Sequence, residues 1–196
     1  MKALIVVDMQ NDFLPGGNLC VPNGDEIIPV INALQSRYEL VVATQDWHPA
    51  VHKSFASQYS QYKEFDVISI KGIQQTLWPD HCIQGSFGAQ FSDLLDQVRF
   101  EGIFRKGTNV NVDSYSGFYD NSRQRNTGLH GYLSDRGVTE VHICGLAADY
   151  CVYYTAIDAL ALGYKTAIVS KATKAIDKDS YMTKKQYLIN AGGTFI

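Results

Sequence analysis

Residues 141–163 read VHICGLAADYCVYYTAIDALALG. The apolar run VHIC stops at Gly145, and from Asp149 onward the pattern is that of a helix running to Gly163, so a strand feeds directly into a helix. The same unit recurs along the chain. ALIVV (3–7) is continuous and apolar, as expected of a strand covered on both faces, and it stops at Asp8. GDEIIPVINALQSRY (24–38) follows, with acids in its opening turn and Ile27, Ile28, Ile31 and Leu34 at helical spacing. Next come LVVATQ (40–45), a long irregular stretch, FSDLLDQV (91–98), GIFRKG (102–107), a second polar stretch, and GLHGYLSDRG (128–137), whose Gly137 can cap a helix. KTAIVS (165–170), a helix from about Asp179 and TFI (194–196) close the order. This alternation predicts an α/β fold of three layers, a central and mostly parallel sheet with helices on both faces.

A chain of 196 residues suits one domain, 1–196, and no Gly/Ser linker, low-complexity tract or repeat divides it. With 45% apolar and 19% charged residues the composition is globular. The formal net charge of -3 leaves no electrostatic footprint for nucleic acid or an anionic membrane, so the expected partners are small molecules or a second copy of the chain. No apolar run approaches the ~20 residues that span a bilayer. The opening MKALIVVDMQ reaches an aspartate too early for a signal-peptide core, and the expected location is cytoplasmic. Cys20, Cys82, Cys144 and Cys151 lack CxxC spacing and are expected as free thiols. The irregular stretches 48–90 and 107–126 exceed the ~12–15 residues usual for passive loops. Their Tyr, Phe, Trp and His content predicts ordered loops lining a pocket.

In an open parallel sheet, ligands bind beyond the carboxyl ends of the strands. Asp8 follows the first strand, Asp46 and His48 the second, Lys106 lies near the end of the third, and Gly145 to Cys151 follow the fourth. A thiol in the first turn of a helix meets partial positive charge and unpaired N–H groups, which makes Cys151 a candidate nucleophile with an anion hole beside it. The alternative is a small buried apolar residue, which describes Cys144 well. Side chains alternate along a strand, so only one of Arg105 and Lys106 can face the site. An ammonium there would favour the thiolate, and Asp8 could move protons between leaving group and water. Together these three would form a nucleophilic amidase.

QDWHP (45–49) and WPDHC (78–82) form the second constellation. Asp46 and His48, one residue apart in extended chain, point the same way while Trp47 faces elsewhere. His81 could complete a set of two histidines and one carboxylate, which suits zinc, iron or manganese. DxH alone is a weak motif; His52, Ser54, Asp80 and Cys82 are equally near in sequence, and satisfied surface histidines are the competing interpretation.

Five segments in order, LIVVDMQNDFLPGG (4–17), TQDWHPAVHKSFAS (44–57), LWPDHCIQGSFGAQF (77–91), FRKGTNVNVDSYSGFYDN (104–121) and GLAADYCVYYTAIDALALGY (145–164), resemble the nicotinamidases of the isochorismatase-like cysteine hydrolases. The resemblance implies hydrolysis of nicotinamide to nicotinate and ammonia through a cysteine thioester. It implies a triad of Asp8, Lys106 and Cys151, and a divalent metal, zinc first, held by Asp46, His48 and His81, with Ser54 in the position of a more variable ligand. It further implies a cis peptide between Leu146 and Ala147, with Ala147 N–H in the oxyanion hole, and an aromatic pocket lined by Phe13, Trp78 and Tyr115. The metal would bind the pyridine nitrogen. The chain closes at GGTFI (192–196), without the tail many family members carry. Three rivals are set against this: another amide or ureide hydrolase of the superfamily, a non-catalytic binding protein, and a redox sensor using Cys144 to resolve Cys151.

Overall fold

The computed structural model describes residues 1–196. Six strands form one sheet in the order β5-β2-β1-β6-β7-β8, all pairs parallel: β1 (Lys2–Val7), β2 (Leu40–Asp46), β5 (Phe100–Lys106), β6 (Glu140–Leu146), β7 (Lys165–Lys174) and β8 (Thr194–Phe195). Alternation along the strands sorts the core into two faces. Leu4, Val6, Val41, Ala43, Cys144 and Leu146 face one side, and Ala3, Ile5, Val7, Val42, Val141 and Ile143 the other. Strands covered on both sides have no polar face to display, which is why ALIVV is unbroken.

The second face is covered by α2 (Leu129–Asp135), α3 (Cys151–Ala161) and Leu188 of α4 (Lys178–Asn190). Cys151, Val152, Thr155, Ala156 and Ala159 make the buried stripe of α3. That helix ends where Gly163 takes φ +88 and the Tyr164 and Gly163 N–H groups fold back to Ala159 and Leu160 oxygens. Gly137 ends α2 in the same way, with φ +68 and hydrogen bonds from Gly137 and Val138 to Ser134 and Leu133 oxygens.

The first face differs from a regular helical layer. Its one α-helix, α1 (Ile28–Gln35), buries Ile28, Ile31 and Gln35, and much of the remaining cover is irregular chain carrying Phe13, Leu19, Val21, Trp78, Phe91 and Leu95. FSDLLDQV forms no helix: its Leu94 and Val98 face solvent. Side chains of α1 claim its backbone, with Asn32 Nδ2 donating to Leu94 O, Gln35 Nε2 to Asp96 O, and Asp96 N–H to Asn32 Oδ1. The long stretch 48–90 is ordered and contains an antiparallel hairpin, β3 (Val67–Ile70) and β4 (Ile73–Thr76). Lys71 and Gly72 both take positive φ, 51° and 85°, in its two-residue turn.

Ile31 is wholly buried on the only α-helix of its face. Ile31→Ala is expected to lower the unfolding free energy by about 2–5 kcal/mol, read as a shifted urea midpoint.

Candidate active site

Parallel pairing puts the carboxyl ends of β5, β2, β1 and β6 on one edge, with Asp46 opposite Lys106 in register and Val7 opposite both Thr44 and Gly145. Gly145, at φ +107, lies so close to β1 that a Cβ there would be 2.0 Å from Val7 O. At the edge β1 turns sharply, Asp8 taking φ 48.

Lys106 is the centre of the site. Its Nζ is 2.8 Å from Asp8 Oδ2, 2.6 Å from Asp46 Oδ1, 3.3 Å from Cys151 Sγ and 3.0 Å from Ser114 O. Arg105 faces the other way, its guanidinium 3.8 Å from the centre of the Trp47 ring, as strand alternation requires. Burial opposes the Lys106 charge, but Asp46, Asp8 and the Cys151 sulfur hold its pKa well above the ordinary lysine value. Burial pushes the Asp8 carboxyl up, against the pull of Lys106. Asp46, also opposed by burial, is held well below the carboxylate range by Lys106 and His48.

Cys151 opens α3 and is buried. Contrary to the expectation of a depressed value, its thiol is pushed well above the ordinary cysteine value: burial raises it, Lys106 lowers it less, and Asp8 and Asp46 raise it further. The peptide between Leu146 and Ala147 is cis. Ala148 N–H goes to Lys174 O, and Tyr150 and Val152 N–H to Ala147 O, leaving the N–H groups of Ala147 and Cys151 without a backbone acceptor beside the sulfur. Cys144 packs with Leu4 and Val6 on the opposite sheet face from Cys151, so the two cannot form the redox pair considered above.

Asp46, His48 and His81 converge, their ligating atoms within 4.8 Å of one another. His48 Nδ1 is bonded to Gly107 O at 3.0 Å and His81 Nδ1 to Pro79 O at 2.8 Å. Carbonyls only accept, so each Nδ1 carries a proton and each Nε2 turns inward, 3.4 Å and 3.7 Å from Asp46 Oδ2. Two ring nitrogens facing one carboxylate oxygen call for a positive charge between them, and this donor set fits a divalent cation. Ser54 is buried and bonded to His52: its N–H donates to His52 Nδ1 at 3.2 Å, and its hydroxyl donates to the same nitrogen at 2.7 Å. Burial pushes His52 down to about 4, in keeping with a neutral acceptor. Asp80 accepts from Ser57, and Cys82 is a buried core residue.

The DMQNDF segment (8–13) ties these parts together. Gln10 brackets the Asp46 backbone, accepting its N–H and donating to its carbonyl, both at 2.8 Å. Asp12 accepts Cys82 N–H at 2.7 Å and so fixes the loop carrying His81. Phe13 joins a narrow, mostly apolar cavity of about 20 Å³. Trp78 and Tyr115 are walls, as expected, and Leu19, Tyr150 and Ile176 complete them. Cys151 and Ala147 belong to the lining, with Asp46, His81 and Asp113 also exposed to it. Trp78 stands nearly perpendicular to Tyr115 and Tyr150, at 87° and 85°. Sequence reasoning missed Leu19, Asp113, Tyr150 and Ile176; only Tyr150, adjacent to Cys151, carried a positional signal.

Gly107 takes φ +66, and a Cβ there would lie 2.3 Å from the His48 ring. Gly107→Ala is expected to displace that ring and weaken zinc binding about 10–100-fold in a competition titration, while Gly128→Ala, with open space around it despite its φ of +90, leaves zinc affinity unchanged.

The model of the isochorismatase domain matches residues 2–196. The nicotinamidase of Escherichia coli K12 is 47% identical over 180 residues, covering 90% of this chain and 84% of that relative. The Acinetobacter baumanii nicotinamidase/pyrazinamidase structure superposes with a TM-score of 0.97 at 44% identity, covering 100% of this chain and 95% of that one. The pyrazinamidase of Pyrococcus horikoshii in complex with zinc gives a TM-score of 0.81 at 37% identity, covering 100% and 98%.

Proposed function

The chain belongs to the isochorismatase-domain family, and from that premise we propose that it is a nicotinamidase, a hydrolase that cleaves the amide of nicotinamide to give nicotinate and ammonia. The observation that carries the assignment to this chain's own residues is the single buried cluster of Asp8, Lys106 and Cys151 opening onto an aromatic slot.

The catalytic roles follow from the protonation states. Burial raises the Cys151 thiol, and Asp8, paired with Lys106 and close to the sulfur, is the group placed to take its proton as sulfur attacks the amide carbon. The developing oxyanion is received by Ala147 and Cys151 N–H. Asp8 returns the proton to the departing nitrogen, and ammonia leaves a thioester on Cys151. Asp8 then takes a proton from water, whose oxygen attacks the thioester carbon, and the thiolate is reprotonated as nicotinate leaves. Lys106 stays protonated throughout, lowering the cost of charge on Asp8 and on sulfur. Phe13, Trp78 and Tyr115 hold the flat ring so that its carboxamide meets sulfur.

Asp46, His48 and His81 would hold the divalent cation, zinc first, with iron and manganese suited to the same donors. When bound it supplies a Lewis-acidic anchor for the pyridine nitrogen, distinct from the sulfur that does the bond chemistry. The free thiols fit a reducing, cytoplasmic setting.

Purified protein is expected to release ammonia from nicotinamide. Cys151→Ala should reduce this roughly 10³-fold or more with circular dichroism and zinc content retained; near-normal turnover in that variant refutes the covalent route. Asp8 acts ionised and its pKa is raised, so kcat/KM should fall with decreasing pH along a limb lying above the ordinary aspartate range. A profile flat down to that range contradicts the base assigned to Asp8.

A further inference from the structure

Behind the ring slot lies a polar knot that the chemistry above does not use. Gln75 sits on β4, in the hairpin, and is only 4% exposed although it does not line the cavity. Its Nε2 donates to Thr76 O at 2.8 Å and Asp113 Oδ2 at 3.0 Å, and lies 3.2 Å from the Tyr115 hydroxyl. Trp78 Nε1 donates to the same hydroxyl at 3.3 Å. The polar ends of two slot walls thus meet at one oxygen, and the residue holding that oxygen comes from the hairpin. Asp113 in turn accepts Ser114 N–H at 2.7 Å, and the Ser114 carbonyl accepts from Lys106.

A neutral amide is well suited to this position. A carboxylate would face Asp113 at hydrogen-bond distance, and an apolar side chain would strip Asp113 and Tyr115 of a donor in a buried place. We propose that Gln75 is a positioning residue for the substrate ring: through Tyr115 and Asp113 it fixes the Tyr115 and Trp78 walls, and it makes the β3–β4 hairpin part of the binding slot. The inference rests on the nicotinamidase reading for its substrate. Because the walls touch the ring in ground and transition states alike, their loosening acts mainly on KM.

The test is Gln75→Leu, which fills similar space without donors, made in a Trp47→Phe background so that Trp78 is the only tryptophan left. The expected result is a KM for nicotinamide raised about tenfold with kcat within about threefold, and Trp78 about twofold more open to acrylamide quenching. In a Tyr115→Phe background the KM effect of Gln75→Leu should shrink, as coupled neighbours require. Unchanged KM and quenching in a folded variant overturn the proposal, as does a fall in kcat at constant KM. An inactive Trp47→Phe parent and wild type would refute the nicotinamidase reading instead, and the quenching comparison would still decide whether Gln75 holds the wall.

Discussion

A lysine ammonium with no solvent contact must be neutralised where it stands, and Lys106 is neutralised by two carboxylates on neighbouring strand ends. That requirement organises the site. Asp8 lies beside the Cys151 sulfur, Asp46 belongs to the cluster with His48 and His81, and one amine binds both, so the two halves of the site are held together. Two buried carboxylates left without the amine would repel each other, and breaking such a buried pair typically costs about 3–5 kcal/mol. The parallel register that sets Asp46 opposite Lys106 is therefore as much a part of the chemistry as the side chains are.

The same crowding explains why Cys151 is not a preformed thiolate. A helix N-terminus contributes about 0.3–1 kcal/mol, up to ~2 in partly buried geometries, whereas burying an unpaired charge costs several. Lys106 offsets part of that cost but is already shared with two carboxylates, so burial wins and the thiol is held well above its ordinary value. A site of this kind is protected from adventitious oxidation, which follows thiolate character. Under the proposed mechanism it gives Asp8 a second task, taking the thiol proton as sulfur attacks.

Much of this was legible from sequence because the strands are buried on both faces and end at chemically distinct residues: Asp8, Asp46, Lys106 and the Gly145–Cys151 turn. Within LIVVDMQNDFLPGG, one of the segments that carried the resemblance, Gln10 and Asp12 pin the backbone of Asp46 and the loop of His81. What escaped depends on contacts between distant segments. FSDLLDQV carried no clear element assignment in the sequence, and its irregular backbone is held by Asn32 and Gln35 from a distant part of the chain. The hairpin turn is Lys71–Gly72, outside the Asn-Gly and Asp-Gly signals that announce such turns. Leu19, Ile176 and Asp113 enter the cavity from segments with no local pattern to mark them.

The division of labour between cation and cysteine is tested most directly by measuring ammonia release from nicotinamide and from benzamide, which lacks the ring nitrogen. Each is assayed with zinc-loaded protein, after chelation, and after zinc is restored. Nicotinamide turnover should fall on chelation toward the benzamide level and return with zinc, while the low benzamide rate stays nearly constant. Nicotinamide turnover indifferent to chelation, or benzamide turned over as well as nicotinamide by the loaded protein, would contradict it.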